Sequence, residues 1–463
     1  MARLKEYNGY YCESEYEYAF IGFLETEGWI YSSGNNISRV TKRDVLIADD
    51  FKKFIVDTNP DLTEDEVTQI FDNVRLVGSE SDFATLHKVY GWMVNGIQFT
   101  PQDGIARMIP LIDFKKDSNK NIFRVVNQFT VEYTNNGQKE NRRPDVLLFV
   151  NGMPLCVIEL KNPADANATI YDAWEQINIR YWRDIPHLLH YCTLACISDG
   201  VKTRLGTVHT PYEHFYAWRR VNDGDAVYTL PFEETETMIK GVYAPERFLE
   251  IFRDYIYFQD SIYDSDEVEI VCRYPQFFAA RLLRQSIINS VVQKSGKGGT
   301  YFGATGCGKT YTMAFLARQL ALRCTDIPEI GSPTIILIVD RDELQKQGAK
   351  LFTKSKEFLN LGEVAVVKNR AQLRQELGAR QSGGFYICTI QKFCDREDDK
   401  IGLINDRQNI ICFSDEAHRT QLEHSKKIQF SKDADENMKA MVSKPYAKVL
   451  KEAFPQATFV GFT

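Results

Sequence analysis

The hydrophobic and polar positions in the N-terminal part of the chain alternate between helical spacing and short apolar runs. Over roughly the first 220 residues, amphipathic stretches are separated by β-branched and aromatic runs of strand length. The runs that predict strands are residues 122–133, 146–150, 155–160 and 188–198. Helices interleaved with strands indicate a domain of the α/β class.

A second pattern begins after Arg273. Apolar strand candidates separated by helical stretches continue to the last residue, at 301–302, 334–340, 385–390, 410–414 and 458–463. Regular alternation of strands and helices is typical of a parallel sheet covered by helices on both faces. We therefore expect a second α/β domain built on a parallel sheet.

The change between the two patterns falls between residues 225 and 270. Pro245 suits the first turn of a helix that would open the second domain. The acidic residues 260–269 have the composition of a surface linker. We predict two domains, residues 1–245 and residues 246–463.

Composition limits the functions that the chain can have. At 463 residues it is too long for a single hydrophobic core, and 44% hydrophobic with 26% charged residues is the balance of a folded protein. Its 56 Lys and Arg residues against 63 Asp and Glu residues give a net charge of −7. A nucleic-acid site must therefore be a local basic groove on an acidic body.

Neither the N-terminus nor the apolar runs predict an association with a membrane. The first residues are charged and polar, without the apolar core of a signal peptide. The longest aliphatic runs have strand length, far below the roughly 20 residues that span a bilayer. Ten cysteines are scattered without a C-x-x-C pair, which predicts reduced thiols and no zinc site. We expect a cytoplasmic protein.

Residues 303–310 read G-A-T-G-C-G-K-T and fit the phosphate-binding pattern G-x-x-x-x-G-K-[ST] completely. Glycines let backbone N–H groups turn toward phosphate oxygens at the N-terminus of the next helix. Lys309 would contact the β- and γ-phosphates of ATP, and the Thr310 hydroxyl would bind Mg²⁺. The loop positions predicted to surround the nucleotide are Gly303, Thr305, Gly306 and Gly308.

Two carboxylates follow the apolar strand candidate 410–414. In a nucleotide hydrolase, an acid at the end of a neighbouring strand completes the Mg²⁺ site. We predict that Asp415 binds this metal and that Glu416 orients or deprotonates the attacking water. On its own, Asp415 would fit a helix cap better, and only the phosphate loop favours the metal.

A second metal-binding pattern occurs in the N-terminal domain. Pro144-Asp145 is followed fourteen residues later by Glu159-Leu160-Lys161, in the order P-D…(D/E)-x-K. Two carboxylates at the edge of a strand pair can hold one or two Mg²⁺ ions that bind a scissile phosphate and activate water. Lys161 lies on the same face of its strand as Glu159 and would orient that water. So short a pattern also fits a salt-bridged strand pair.

The spacing of the two carboxylates predicts an irregular hairpin. Asn151-Gly152 suits a two-residue turn, but a regular ladder on that turn would place Asp145 and Glu159 on opposite faces. A three-residue loop or one bulge would place Asp145 opposite Glu159. We expect one of these two irregularities.

Three further side chains are candidates for this site. Glu17 falls on an apolar helical stripe, where a carboxylate needs a partner, and the metal is one candidate. An exposed position in a glutamate-rich helix fits Glu17 equally well. Arg142 and Arg143 directly precede the strand of Asp145 and are predicted to contact DNA phosphates.

Asp-Glu-Ala-His at residues 415–418 resembles the superfamily 2 helicases and translocases. That resemblance implies that Gln276, ahead of the phosphate loop, contacts adenine, and that residues 339–341 and 389–392 track a DNA strand. Residues 460–463 look like the start of the motif that couples ATP hydrolysis to DNA movement. The family's second RecA-like lobe, with its arginine finger, would follow, so we expect the chain to be truncated.

Residues 143–161, together with 415–419, look like the restriction (motor) subunit of type I restriction-modification enzymes. The resemblance implies a PD-(D/E)xK nuclease domain and a first RecA-like lobe that use ATP and Mg²⁺ to pump double-stranded DNA and cut unmodified DNA at a distance. It also implies methyltransferase and specificity subunits as partners. Gln176 and Tyr181 resemble a Gln…Tyr element of one nuclease branch, but their spacing is one residue too long, so Gln176 is the safer assignment.

Two other functions remain compatible with the sequence. The chain could be a helicase or translocase whose N-terminal domain binds DNA without cutting it. It could also be an ATP-gated DNA-binding or assembly module. Metal binding at Asp145 separates the first of these from a nuclease, and steady ATP turnover on DNA separates the second.

Overall fold

The computed structural model describes residues 13–78, 80–115, 118–161, 169–227, 233–259, 267–304, 306–339, 351–393, 401–415, 428–432, 438–442 and 446–463. The chain divides into two compact units, Met1–Tyr274 and Pro275–Thr463. The division lies later in the sequence than the predicted boundary at 245/246.

The first unit contains nine α-helices and twelve strands within the described ranges. Its helices are α1 (Glu13–Thr26), α2 (Ala48–Thr58), α3 (Glu64–Arg75), α4 (Asp82–Asn95), α5 (Ile170–Glu175), α6 (Trp182–Asp184), α7 (Pro186–Leu189), α8 (Glu233–Met238) and α9 (Pro245–Asp254), with π-helical segments at Gln176–Tyr181 and Ile239–Tyr243. Its strands are β1 (Ile30–Ser33), β2 (Ile97–Phe99), β3 (Arg107–Ile109), β4 (Phe123–Asn127), β5 (Val131–Asn135), β6 (Gln138–Arg142), β7 (Val146–Val150), β8 (Met153–Leu160), β9 (Leu194–Ser198), β10 (Thr203–Thr207), β11 (Ile256–Gln259) and β12 (Val268–Val271).

Six of these strands form the central sheet, in the order β1-β4-β7-β8-β9-β10. The pairs β1/β4 and β8/β9 are parallel and the others are antiparallel. Every residue of β7, β8 and β9 is buried, which explains why their sequences are nearly continuous apolar runs. The predicted α/β class is confirmed.

Two of the predicted strands have different limits in the structure. The run 122–133 divides into β4 and β5 because Gln128, with a φ of 53°, turns the chain between them. The run 188–198 begins in the short helix α7, and only its second half is a strand. An apolar run alone does not distinguish a buried helical turn from a buried strand.

The β7–β8 hairpin contains the predicted irregularity. Its two-residue turn, Asn151-Gly152, has φ values of 51° and 77°, as a type I′ turn requires. Leu148 pairs with Cys156 and Phe149 with Pro154, so Leu155 is an extra residue in β8. This bulge restores the register in which Asp145 comes opposite Glu159. The prediction of an irregular hairpin, with either a longer loop or a bulge, is confirmed, and the irregularity is the bulge.

Gly152→Ala is expected to destabilise the protein strongly. A Cβ atom at this position would lie 2.2 Å from the Ile47 carbonyl oxygen, in addition to the strain of a φ of 77°. We expect a loss of about 3 kcal/mol or more in the free energy of unfolding, measured by denaturant titration.

Gly137→Ala is the matched control for Gly152→Ala. Gly137 has a φ of 79° in another hairpin turn, but a Cβ atom there would meet nothing within 4 Å. This control should lose only about 1 kcal/mol. Equal losses for the two variants would show that the contact with Ile47 is unimportant.

The residues after 245 belong to the first unit because their aromatic side chains pack there. Phe248 of α9 packs edge-to-face on Trp29, with ring centroids 5.5 Å apart, and Trp29 Nε1 donates to the Tyr243 carbonyl oxygen at 2.7 Å. β11 and β12 then form an antiparallel hairpin in which Glu269 is only 3% exposed. The prediction that residues up to Glu269 form a surface linker was therefore wrong for β12, and residues 260–266 lie outside the described ranges.

The second unit is built on a parallel sheet. Its helices are α10 (Tyr274–Gln293), α11 (Lys309–Arg323), α12 (Lys356–Leu359), α13 (Arg370–Gly378) and α14 (Tyr446–Ala453). Its strands are β13 (Lys297–Tyr301), β14 (Thr334–Val339), β15 (Val364–Val366), β16 (Phe385–Thr389), β17 (Ile410–Ser414), β18 (Ile428–Lys432), β19 (Met438–Val442) and β20 (Thr458–Phe462).

Six strands of the second unit form one sheet in the order β13-β20-β17-β14-β16-β15, and every neighbouring pair is parallel. The carboxyl ends of β13, β20 and β17 therefore meet at one edge of the sheet. The predicted parallel sheet is confirmed.

Two properties of the described residues bear on the sequence predictions. The eight cysteines within the described ranges are free, and seven of them are buried. No helix in these ranges is long and apolar enough to cross a membrane.

Candidate active sites

Asp145 and Glu159 form a buried pair of carboxylates beside the β7–β8 bulge. Glu159 is fully buried and Asp145 is 9% exposed. Asp145 Oδ2 accepts a hydrogen bond from the Leu160 backbone N–H at 2.8 Å, which fixes one carboxylate beside the strand that carries the other. Burial, and then the neighbouring Asp145, hold the pKa of Glu159 well above its usual range, while Lys161 acts in the opposite direction.

Lys161, Gln176 and Tyr181 complete this cluster. Gln176 Oε1 accepts from Lys161 Nζ at 3.0 Å, and Gln176 Nε2 donates to Glu159 Oε2 at 2.7 Å. The Tyr181 hydroxyl donates to Glu159 Oε1 at 2.6 Å and lies 2.8 Å from Gln176 Nε2. Both oxygens of Glu159 are therefore held by side chains from the helix that follows β8. The structure brings together Asp145, Glu159, Lys161 and Gln176, as the sequence predicted.

Tyr181 was the doubtful assignment because its spacing from Gln176 is one residue longer than in the family pattern. The backbone conformation explains this spacing. Residues Gln176–Tyr181 form a π-helical segment. A π-helix closes its hydrogen bonds between residues i and i+5, so residues five apart lie on one face. The π-helical turn therefore accommodates the extra residue between Gln176 and Tyr181, and both side chains contact Glu159. A spacing of i, i+5 is the only sequence signal of this arrangement.

Tyr181→Phe is expected to reduce DNA cleavage about tenfold to a hundredfold, because it removes a hydrogen bond to a buried carboxylate. The measurement is the initial rate of DNA cutting by the assembled protein. Tyr191→Phe is the matched control, since the Tyr191 hydroxyl is also buried and donates to the Val74 carbonyl oxygen at 2.7 Å. Equal rate losses for the two variants would indicate a structural role for Tyr181.

The metal-free protein is expected to lose stability as the pH rises, because the folded state favours protonated Glu159. The pKa of Glu159 is higher in the folded state than the value of about 4.3 in an unfolded chain. Its stabilising contribution is therefore complete below that value and is lost as the pH rises through the folded-state pKa.

Glu159→Gln tests this pH dependence. Between about pH 5 and about pH 8 in EDTA, its melting temperature should fall less steeply than that of the wild type. Glu213→Gln, at an exposed position, should retain the wild-type slope. Parallel slopes for wild type and Glu159→Gln would contradict the expectation.

Asp145 and Glu159 also fit a divalent cation. Their carboxylate oxygens are the hard donors that Mg²⁺ prefers, and a bound cation would favour the charged form of both carboxylates. Within the described ranges no three His, Cys, Asp or Glu side chains group together as a metal site.

Glu17 is buried, at 5% exposed, so the exposed alternative is wrong. Its carboxylate accepts from Asn127 Nδ2 at 2.6 Å and from Gln128 Nε2 at 2.7 Å. Gln128 in turn donates its backbone N–H to the Asp145 carbonyl oxygen at 3.1 Å. The structure thus links Glu17 to the Asp145 strand through Gln128, and Glu17 as a catalytic residue stays a prediction. No sequence pattern indicated these amide partners.

The two arginines before Asp145 differ in their surroundings. Arg142 Nε donates to Asp184 Oδ2 at 2.7 Å, so it joins β6 to helix α6. This ion pair competes with the predicted phosphate contact of Arg142. Arg143 is exposed, and it remains the better candidate for binding DNA phosphates.

The phosphate loop joins β13 to α11 in the second unit. Gly306 and Gly308 have φ values of 79° and 81°, which glycine adopts without strain. Lys309 and Thr310 are the first residues of α11, so the loop lies at a helix N-terminus, where backbone N–H groups favour anions. Gly303 donates its N–H to the Thr463 carbonyl oxygen at 2.8 Å. Thr305 lies outside the described ranges.

Gln276 contacts the phosphate loop directly. It is 4% exposed, and its Nε2 lies 3.3 Å from both the Cys307 and the Gly308 carbonyl oxygens. These bonds connect α10 to the backbone that would surround a nucleotide. The predicted contact of Gln276 with adenine stays a prediction.

Asp415 follows β17 at the same edge of the sheet as the phosphate loop. Its backbone N–H donates to the Ile338 carbonyl oxygen at 2.9 Å. β20 alone separates β17 from β13, which places the ends of those two strands about 10 Å apart. The binding of a metal by Asp415 stays a prediction. Glu416 lies outside the described ranges.

Two protein families match the chain. Residues 10–214 match the family described as the type I restriction enzyme R protein N terminus. Residues 275–463 match the SWI2/SNF2 ATPase family. The two matches fall in the two compact units.

Curated relatives extend these matches. The HindI endonuclease subunit of a type I restriction enzyme from Haemophilus influenzae is 30% identical over 469 residues, 97% of this chain and 42% of the relative. The putative MjaIXP endonuclease subunit from Methanocaldococcus jannaschii is 28% identical over 477 residues, 96% of this chain and 42% of the relative. The SauCOLORF180P endonuclease subunit from Staphylococcus aureus is 26% identical over 307 residues, 65% of this chain and 29% of the relative. The chain spans less than half the length of these relatives.

Proposed function

Because the chain belongs to the R-subunit family of type I restriction enzymes, we propose that it is an ATP-dependent DNA translocase and a Mg²⁺-dependent endonuclease. Its substrate is unmodified double-stranded DNA, which it moves by ATP hydrolysis and cuts away from the recognition sequence. Its partners are a methyltransferase subunit and a specificity subunit, and its compartment is the cytoplasm.

One observation carries the nuclease part of the proposal. The bulge at Leu155 and the π-helical segment together gather Asp145, Glu159, Lys161 and Gln176 around one point, although they come from different elements. A salt-bridged strand pair needs neither irregularity. Backbone irregularities that converge on buried ionisable groups are typical of functional sites.

Each residue of the cluster has a role in hydrolysis of a phosphodiester. Asp145 and Glu159 would hold Mg²⁺, which when bound polarises the scissile phosphate and lowers the pKa of the attacking water. Lys161, whose Nζ is held by Gln176 Oε1, would orient that water and offset charge on the phosphate. Gln176 and Tyr181 fix the orientation of the Glu159 carboxylate.

The second unit would hydrolyse ATP at the edge of its parallel sheet. Lys309 would contact the β- and γ-phosphates, and Thr310 and Asp415 would bind the Mg²⁺ that accompanies them. Glu416 would deprotonate the attacking water. The Thr463 backbone is hydrogen-bonded to both Tyr301 and Gly303. A conformational change at the phosphate loop would therefore move the residue that follows β20.

The proposal is tested with the full-length protein assembled with methyltransferase and specificity subunits. Unmodified circular DNA should be cut only when both ATP and Mg²⁺ are present, and methylated DNA should remain intact. Displacement of a DNA triplex ahead of cutting should report translocation. ATP hydrolysis without any cutting would instead favour a translocase with an inactive N-terminal domain.

A further inference from the structure

The helix that carries Gln176 and Tyr181 also lines a pocket of about 480 Å³ within the first unit. This volume is in the range of ligand-binding pockets. The wall residues on which its chemistry depends are Phe83, Trp174, Asn178, Trp182, His209 and Glu267. None of them belongs to the cluster around Glu159.

The two tryptophan side chains of the pocket wall are held in place by hydrogen bonds from their indole N–H groups. Trp174 Nε1 donates to the Thr210 carbonyl oxygen at 2.9 Å, and Trp182 Nε1 donates to the Val208 carbonyl oxygen at 2.8 Å. The indole rings therefore have no N–H left for a ligand. What they can offer to the pocket is their π surface, which attracts cations.

The polar groups of the pocket wall that have no hydrogen-bonding partner among the described residues are acceptors, not donors. Asn178 Nδ2 donates to the Thr210 carbonyl oxygen at 2.9 Å, and Asn178 Oδ1 is buried without a partner among the described residues. Glu267 is exposed at the pocket wall, and no described Lys or Arg forms an ion pair with it. Burial lowers the pKa of His209, and the neighbouring Glu267 opposes this effect.

A second carboxylate at the rim, Asp82, is already engaged. Its Oδ1 lies 2.8 Å from His190 Nε2, and it occupies the first turn of α4, where a carboxylate offsets the positive end of the helix. Glu267 is thus the wall carboxylate that has no ion-pair partner among the described residues. Aromatic surfaces and a carboxylate complement a flat cation with several N–H donors, and they disfavour phosphates.

We propose that this pocket binds an arginine side chain of a partner protein. A guanidinium group is planar, stacks on aromatic rings and donates in several directions, so it can stack on Trp174 or Trp182 of the pocket wall and donate to Glu267. A lysine ammonium lacks the flat surface. That the arginine comes from a methyltransferase or specificity subunit rests on the proposed function.

The position of the pocket connects docking to the nuclease cluster. Trp174, Asn178 and Trp182 line the pocket, whereas Gln176 and Tyr181, on the same helical stretch, bind Glu159. An arginine bound between these side chains would restrain the π-helical segment. The docked partner would thereby stabilise the orientation of the Glu159 carboxylate.

The first test uses N-acetyl-arginine amide as the probe and tryptophan fluorescence as the readout. N-acetyl-citrulline amide has the same shape without the charge and serves as the control ligand. We expect saturable quenching by the arginine compound alone. Glu267→Gln should weaken this binding about tenfold, as expected for loss of a charge-assisted hydrogen bond. Glu213→Gln, exposed and outside the pocket wall, should leave it unchanged.

The second test measures assembly of the full-length protein with its two partner subunits. Glu267→Gln should weaken the assembly about tenfold, and Glu213→Gln should not. Equal binding of citrulline and arginine amides, no binding of either, or an unchanged affinity of Glu267→Gln for the probe would overturn the pocket assignment. Probe binding that depends on Glu267 without any effect on assembly would overturn the partner. Either failure leaves the nuclease proposal intact if the wild-type complex still cuts DNA.

Discussion

Replacing Asp145 by asparagine should abolish DNA cleavage by the assembled protein while ATP hydrolysis continues. Asp145 is one of two buried carboxylates that would hold the cation, and asparagine keeps its size while removing the charge. The loss of metal-assisted chemistry should lower the cutting rate by about a thousandfold or more. ATP turnover should persist because its predicted residues lie in the other unit.

The measurement is the conversion of unmodified circular DNA to linear DNA, with ATP hydrolysis followed in the same reactions. Asp223→Asn, at an exposed loop position, is the control with the same change of charge. Cutting by Asp145→Asn at the wild-type rate would contradict the nuclease assignment. The N-terminal unit would then be a DNA-binding or docking domain.

Lys309→Ala should abolish both ATP hydrolysis and DNA cleavage. The lysine is the first residue of α11, directly after the phosphate loop, and its charge would be needed where negative charge develops on the γ-phosphate. We expect ATP hydrolysis to fall about a hundredfold or more. Cleavage should fall with it, because in the proposed mechanism DNA must be moved before it is cut.

DNA-stimulated phosphate release is the measurement for Lys309→Ala, with Lys297→Ala as the control. Lys297 is an exposed residue at the start of β13, outside the phosphate loop. Cutting by Lys309→Ala at the normal rate would show that the nuclease does not depend on the motor. The pair of variants Asp145→Asn and Lys309→Ala therefore tests the two units and the coupling between them separately.

The β7–β8 hairpin shows what local sequence rules can predict and what they leave open. The turn at Asn151-Gly152 and the requirement that Asp145 and Glu159 share a face demanded either a longer loop or a bulge. Both options satisfied the sequence. The structure keeps the two-residue turn and inserts Leu155, and the backbone of Ile47 and Phe51 at the start of α2 lies close to Gly152 of that turn.

Other features of the structure depend on contacts between residues that are distant along the chain. The residues from Pro245 to β12 had the pattern of a new domain, but Phe248 and Tyr243 pack with Trp29, more than 200 positions earlier. The partners of Glu17 are amides of Asn127 and Gln128, far away along the chain. Such contacts leave no periodic trace in a sequence.

The sequence by itself determined the phosphate loop, the acid after β17 and the class of both sheets. It also determined the two carboxylates of the N-terminal unit, one directly before β7 and one within β8. These features follow from short-range spacing, because glycine, charge and apolar periodicity act within one element and its neighbour. The tertiary structure alone decided the bulge at Leu155, the π-helical turn that brings Tyr181 to Glu159, the burial of Glu17 and the aromatic pocket. Those depend on which elements pack together, and packing energy is set by the whole fold rather than by any local stretch.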